Sequence, residues 1–432
     1  SMSIPVRLWV RFFNNIAALR PVVQPEFVAR LFVPLDRALK NGKFVQAEVE
    51  EVRERDLLVR GLDKPVTFDY CVIATGSVYN FPGKVPWWAG THAVRRLYNA
   101  ANQKLVASQR IAIIGAGAVG LELAGEIKFA YPDKEVTVFH RGPYPLSSSK
   151  IGEKMGKYIL TRLEKLGIKV NCNECIAVND DEKNNNAFLD ATRDNNKPDE
   201  SAEDNVKTSD LAEAFSEKFL SAGERVLKSD SGKEFPVDCV FYCTGAHYAC
   251  SAYEGNFQMT KGGRCITNDR LQAILKETGK PCDRVFVAGD CNGGTDIEGF
   301  GDPATLTFGY AHHPVVAKNI RAMNKGQSNT MAEFNSPDSI VCASLGPKQG
   351  FIAKGNKLGS KIDSQLFGPA CLQDWIVKKV KSEDLFTNNM YKVLKRKEKP
   401  PKVSLLRGGK KGNMKSASVQ PVADKYKNND GF

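Results

Sequence analysis

Residues Ile111 to Glu126 read IAIIGAGAVGLELAGE, and about twenty residues after the glycines comes VTVFHRG, Val136 to Gly142. The apolar run Ile111 to Ile114 has the length and β-branched content of a buried strand, and it enters Gly115-x-Gly117-x-x-Gly120 directly. Beyond the glycines, Leu121, Ala124 and Ile127 recur at helical spacing. Strand, glycine-rich turn and helix in this order form the dinucleotide fingerprint in the setting it requires. Gly115 is expected to make the tight turn, Gly117 to let backbone approach a pyrophosphate, and Gly120 to let helix and strand pack closely. The helix N-terminus would then offer its free N–H groups to the phosphates. The second strand, Glu135 to Phe139, ends where the adenosine ribose should lie. An acid there would bond the ribose hydroxyls of NADH, but this chain carries His140 and Arg141. A guanidinium fork suits a 2′-phosphate and His140 adds a donor, so NADPH is expected to serve at least as well as NADH.

Two further stretches match each other. Phe68 to Gly76 reads FDYCVIATG and Val237 to Gly245 reads VDCVFYCTG, with Asp69 and Asp238 equally far before their glycines. A strand closing a nucleotide-binding unit, present twice, implies two such units. Ala74, Thr75, Gly76, Thr244 and Gly245 would then stand at the crevice outside the carboxyl ends of the strands. A third strand, RVFVAGD from Arg284 to Asp290, ends in Gly289-Asp290, and Ala304 to Asn324 reads as a helix with Pro314 near a kink. The expected fold is α/β, with two Rossmann-like dinucleotide-binding domains and a small C-terminal α+β domain.

A chain of 432 residues with 42% hydrophobic content exceeds one ordinary core. Lys and Arg outnumber Asp and Glu by 61 to 49, a net charge of +12 that suits nucleic acid, an anionic membrane surface or phosphate-bearing cofactors. Nucleic acid is disfavoured, because no aromatic residues interleave with the basic ones. Eleven scattered cysteines without a signal peptide suit a reducing compartment, cytoplasmic or mitochondrial, rather than secretion. No apolar run approaches the ~20 residues of a spanning helix, so membrane contact would be peripheral. Ile4 to Val10 reads as a strand, Val45 to Val59 as a hairpin, and Ile340 onward as short strands before a helical Gln373 to Val380. Asn179 to Ala222 is too polar to form a core and is expected to be a disordered insertion, with one helical piece at Leu211 to Leu220.

Other constellations are weaker. Cys172-x-x-Cys175 has dithiol or zinc spacing, but no second pair follows to complete a metal site, so no metal is expected. His312 and His313 fall in the helix after Gly289-Asp290. Packing suits them as well as proton transfer does.

The motifs ATG at Ala74, the fingerprint at Gly115, CTG at Cys243 and AGD at Ala288, in that order, resemble the two-dinucleotide-domain flavoprotein reductases. More narrowly, NNIAALR (Asn14 to Arg20), GLELAGEI (Gly120 to Ile127), YPDKEVT (Tyr131 to Thr137) and KSEDLF (Lys381 to Phe386) resemble the ferroptosis suppressor and apoptosis-inducing factor 2 group, relatives of type II NADH:quinone reductases. The resemblance implies FAD held by the first unit with Gly289 and Asp290, NAD(P)H held by the second, and hydride transfer through flavin to a quinone or similar acceptor. It places Glu122 near nicotinamide and flavin and Lys381 beside the flavin. Asp290 would take a ribityl hydroxyl, and the helix beginning near Thr305 would aim its positive end at the flavin pyrimidine. The expected domains are 1–105 and 235–330 for FAD, 106–234 for NAD(P), 331–399 for the C-terminal domain and 400–432 for a basic tail. One departure stands out, because the chain opens past the glycine-rich unit that cradles the FAD pyrophosphate in this group. Weak flavin retention is therefore expected, and a non-catalytic scaffold or pseudoenzyme is the alternative to the reductase.

Overall fold

The computed structural model describes residues 11–35, 38–39, 41–45, 47–85, 91–147, 151–176, 225–295, 306–335 and 340–354, with isolated positions from 377 to 401. The expected strand at 4–10, the insertion at 179–222, the helix at 373–380, Lys381 and the basic tail lie wholly or mainly outside them. A short strand β1 (Arg11–Phe13) opens the described chain, followed by the single-turn helix α1 (Arg20–Val23) and by β2 (Phe32–Pro34), which pairs antiparallel with β1. Next come β3 (Val49–Val52), β4 (Asp56–Val59) and β5 (Val66–Thr67), an antiparallel sheet that contains the expected hairpin. Strands β6 (Cys71–Ile73) and β7 (Val78–Tyr79) lead to helix α2 (Thr91–Ala107).

The fingerprint unit follows as β8 (Arg110–Ile114), α3 (Ala118–Ala130), β9 (Glu135–His140), α4 (Glu153–Lys165) and β10 (Ile168–Cys172). The described chain continues with the hairpin β11 (Arg225–Lys228) and β12 (Glu234–Val237), then β13 (Cys239–Tyr242). The sheet order is β10-β9-β8-β13, all parallel. The central strands β8 and β13 read as continuous apolar runs because both faces are covered. Ile111, Ile113, Cys239 and Phe241 point into the helical core with Leu121, Leu123 and Ile127, whereas Ala112, Ile114, Val240 and Tyr242 pack with Leu227 and Val237 of the hairpin. In α4, Met155, Ile159 and Leu163 recur every four residues and bury one stripe.

The pairing of β13 with β8 corrects one expectation. This sheet runs past the boundary placed after residue 234, because Val237 to Gly245 closes the fingerprint unit instead of opening the second half of the flavin unit.

The flavin unit resumes with β14 (Ala246–His247), β15 (Cys265–Ile266), β16 (Gln272–Ile274), β17 (Pro281–Val287), β18 (Asn292–Gly294) and α5 (Leu306–Asn324). Strand β17 runs parallel to β6, pairing Val285 with Cys71 and Val287 with Ile73. A second core of Val52, Ile73, Tyr253, Phe257, Val285 and Val287 lies beneath them. The hairpin β19 (Ile340–Ser344) and β20 (Gly350–Lys354) then packs on α3, where Gly125 lets the Leu345 backbone approach closely. Arg20 and Glu126, 1% and 2% exposed, form a buried two-point ion pair that ties α1 to α3. Among the described residues, no helix is long and apolar enough to cross a membrane.

Candidate active site

Four strand ends meet at one crevice. The ends of β6 and β17 lie side by side, as do those of β8 and β13. The continuations of the ATG and CTG strands pair with each other through β7 and β14, Tyr79 opposite Ala246 and Val78 opposite His247. Asn80 Nδ2 donates to Thr244 Oγ1 at 3.3 Å across the same junction. Ala74, Thr75, Thr244 and Gly245 are exposed there, as residues must be if ligand is to reach them.

The glycines divide into two kinds. Gly115 has φ of +112°, and a side chain there would strike the Cys243 carbonyl; one at Gly120 would strike the Gly115 carbonyl. These two let strand, turn and helix close on each other. At Gly76, Gly117, Gly245 and Gly289 nothing stands within 4 Å of where a Cβ would be. Each of these leaves open space at a strand end, and Gly117 also caps the N-terminus of α3. The residues present therefore leave room for ligand beside the start of α3 at Gly117 and at the strand ends by Gly76 and Gly289.

Asp290 stands in the turn after β17 and accepts a hydrogen bond from Ser77 Oγ at 2.6 Å. Lys84 donates to the Ser77 carbonyl, and to Ser77 Oγ at 2.9 Å. Burial pulls the Lys84 pKa down, and the Asp290 carboxylate opposes that shift. Burial also pushes the neighbouring Tyr79 hydroxyl up to about 12, with Asp290 adding to the effect. The cluster thus places one cation and one anion on either side of a serine. Lys84 was not singled out from the sequence; its signal is a lysine ending the Phe81-Pro82-Gly83-Lys84 run after the ATG strand. Thr75 Oγ1 lies 3.2 Å from the Tyr253 hydroxyl, which steadies the strand end.

Glu122, one turn into α3, is buried, so a solvated helix face does not describe it. Its Oε1 accepts the Ser344 N–H at 3.0 Å, a bond from the C-terminal hairpin to the fingerprint helix. His312 has a structural part, because its Nδ1 accepts the Gly289 N–H at 3.0 Å while its ring stands edge-on to Phe334. Burial lowers its pKa to about 4, which keeps the imidazole neutral and able to accept. His313 is exposed.

At the other end of the nucleotide site, His140 and Arg141 separate. His140 Nε2 lies 3.0 Å from Ser147 Oγ, and burial and Arg141 lower its pKa, so its ring serves the 140–147 loop. Arg141 is exposed at the strand end. Cys172 lies at the end of β10 with its thiol pKa raised by burial, and Cys175 is exposed beyond it. Among the described residues, no group of three or more potential ligands for a metal ion occurs.

Comparison with known proteins agrees with this arrangement. The pattern of the pyridine nucleotide-disulphide oxidoreductase family matches residues 36–317. Apoptosis-inducing factor homolog A of Dictyostelium discoideum is 30% identical over 351 residues, 78% of this chain and 76% of that protein. Ferroptosis suppressor protein 1 of Homo sapiens is 23% identical over 394 residues, 90% and 88% of the two chains. In fold, the chain is similar to an NAD-dependent persulfide reductase from A. fulgidus, with TM-score 0.50 and 16% identity, covering 80% of this chain and 57% of that one. It is also similar to a chain of the putidaredoxin reductase–putidaredoxin complex, with TM-score 0.51 and 13% identity, covering 79% and 72%. The paired strand ends and their open glycines thus have their counterpart in a family that works with FAD and NAD(P)H, and this chain belongs to the pyridine nucleotide-disulphide oxidoreductases as an NAD(P)H-dependent flavoprotein oxidoreductase.

Proposed function

We propose that the protein passes reducing equivalents from NAD(P)H through FAD to a quinone or a similar small acceptor. The observation that carries this reading is the convergence of four strand ends, each with an open glycine, at one crevice. When bound, FAD would supply the two-electron chemistry that links NAD(P)H to the acceptor. The N–H groups at the start of α3 offer partial positive charge to the pyrophosphate of NAD(P)H. Asp290 accepts a ribityl hydroxyl, and Ser77 and Lys84 hold the Asp290 carboxylate in place. Lys84 also brings positive charge to a buried site where negative charge develops on reduction. Glu122 orients groups between α3 and the crevice, and Lys381, outside the described residues, is assigned to the flavin by the resemblance of KSEDLF alone. The match of KSEDLF to the quinone-reductase relatives supports that acceptor class. Arg141 reads the 2′-phosphate, so NADPH serves at least as well as NADH. Peripheral contact with an anionic membrane, where a lipid-soluble quinone resides, follows from the basic residues between Lys378 and Lys399.

The test uses the full chain incubated with FAD, with spectra taken after gel filtration and oxidation of NADPH and NADH followed with a short-chain benzoquinone. Quinone-dependent oxidation with FAD present is expected, and only part of the flavin, weakly retained, is expected to survive gel filtration. Retained flavin without such oxidation would sink the quinone reading, and a nucleotide-binding chain that holds no flavin would favour the scaffold.

A further inference from the structure

Three loops converge at the carboxyl edge of the parallel sheet beside Arg141. The 140–147 loop after β9 is stapled to the turn after β10, because Asn173 N–H donates to the Gly142 carbonyl at 3.0 Å and Glu174 N–H donates to the His140 carbonyl at 3.1 Å. The tip of the β11–β12 hairpin is stapled over that turn in its own right. Ile176 and Ser229 form a β-bridge, Asp230 N–H donates to the Cys175 carbonyl at 2.9 Å, and Asp230 Oδ1 accepts the Cys175 N–H at 3.1 Å.

Glu174 stands at the centre of this contact with its side chain 8% exposed. The acid that ordinarily serves the ribose hydroxyls stands at the end of the second strand, where this chain has His140 and Arg141, whereas Glu174 follows β10. Here both carboxylate oxygens are engaged by side chains of the hairpin tip. Ser231 Oγ donates to Oε2 at 2.7 Å, and the Lys233 ammonium bonds Oε1. Lys233 itself is 63% exposed. An ammonium carries three donors, so one bond to Glu174 leaves others directed to solvent.

We infer that Lys233 is a further specificity residue for the nucleotide, adding a second cation beside Arg141 for the 2′-phosphate of NADPH, with Glu174 as the positioning residue that holds it there. The inference rests on the assignment of Arg141 to that phosphate. Lysine binds phosphate as a point charge and arginine as a fork, so the two are complementary on one group. Lys233 and the two serines hold the Glu174 carboxylate at about 2, so the clamp persists over the whole working pH range. Asp230, the other acid of the tip, is turned to the Cys175 backbone.

The experiment is calorimetry on the full chain with adenosine 2′,5′-bisphosphate and adenosine 5′-monophosphate, which needs neither flavin nor turnover. The bisphosphate is expected to bind more tightly. The double variant Lys233→Met with Glu174→Gln removes the cation without leaving a buried carboxylate unpaired, and should weaken the bisphosphate about fivefold while sparing the monophosphate. Lys233→Arg should keep the preference, and Arg141→Ala should lower it independently. If the double variant weakens neither ligand or both equally while Arg141→Ala still acts on the bisphosphate alone, the phosphate is read by Arg141 alone and the Lys233 inference falls. Loss in the double variant with no loss in Arg141→Ala would overturn the assignment of Arg141 and with it the pairing of the two cations on one phosphate. A wild-type protein that binds the two ligands alike overturns both.

Discussion

Gly117 and Gly120 lie three positions apart in one motif and answer to different forces. Gly120 is required by the protein itself, because any side chain there meets the Gly115 carbonyl, a backbone atom that cannot swing aside. Gly117 has φ of −75°, which any residue adopts, and nothing within 4 Å of its missing Cβ. Its requirement comes from the ligand. Gly120→Ala is therefore expected to destabilise the fold by about 1–3 kcal/mol through overpacking and to lose nucleotide binding with it. Gly117→Ala should melt near the wild-type temperature and still bind nucleotide more weakly. Thermal melts paired with titrations of NADPH separate the two, and a matching fall in melting temperature for both variants would show that the distinction is wrong.

At the scale of elements, α3 is held along its length by partners from distant parts of the chain. Arg20 of α1 pairs with Glu126, Ser344 of β19 donates to Glu122, and Leu345 lies against Gly125. Removing one member of a buried pair such as Arg20 and Glu126 leaves the other charge uncompensated, which makes this tie costly to break. The tie between α5 and the end of β17 is of another kind and includes a bond from Gly289 N–H to neutral His312. The His312 pKa falls from the ordinary 6.5 to about 4 on folding. Between those values the unfolded chain binds a proton that the folded chain does not, so this contribution is complete above about pH 6.5 and is lost as the pH falls through 4. Melting temperature measured from pH 7 to pH 4 should drop less steeply in His312→Gln than in the wild type. Equal slopes would assign the acid sensitivity to other groups.

For the whole molecule, the net charge of +12 is the property that acts at a distance. Proposed contact with an anionic bilayer should appear as co-sedimentation with vesicles of phosphatidylserine and phosphatidylcholine. It should decline between low and physiological salt, because the Debye length contracts to about 8 Å at 0.15 M. Binding that persists in high salt would point to apolar insertion instead, and no binding at low salt would end the proposal. Much of the molecule's plan was legible in advance, since the order ATG, fingerprint, CTG, AGD announces two interleaved nucleotide units. The boundary expected at residue 234 cuts the sheet that β13 completes, because a strand's sequence records that it is buried and not which sheet buries it.

What the sequence by itself determined are features with a local cause. Gly115 and Gly120 occupy a strand–turn–helix passage whose geometry only glycine permits, the apolar runs of β8 and β13 announce strands covered on both faces, and the repeated Thr-Gly endings mark where those strands stop. Only the tertiary structure decided the rest. It placed Lys84 with Ser77 and Asp290, turned His140 into its loop and left Arg141 outside, buried Glu122 against Ser344, and clamped Glu174 with Lys233 and Ser231. Each of those contacts depends on where side chains meet once separate turns and strand ends have been brought together. Their distances and burial follow from packing, which the spacing of residues along the chain does not encode.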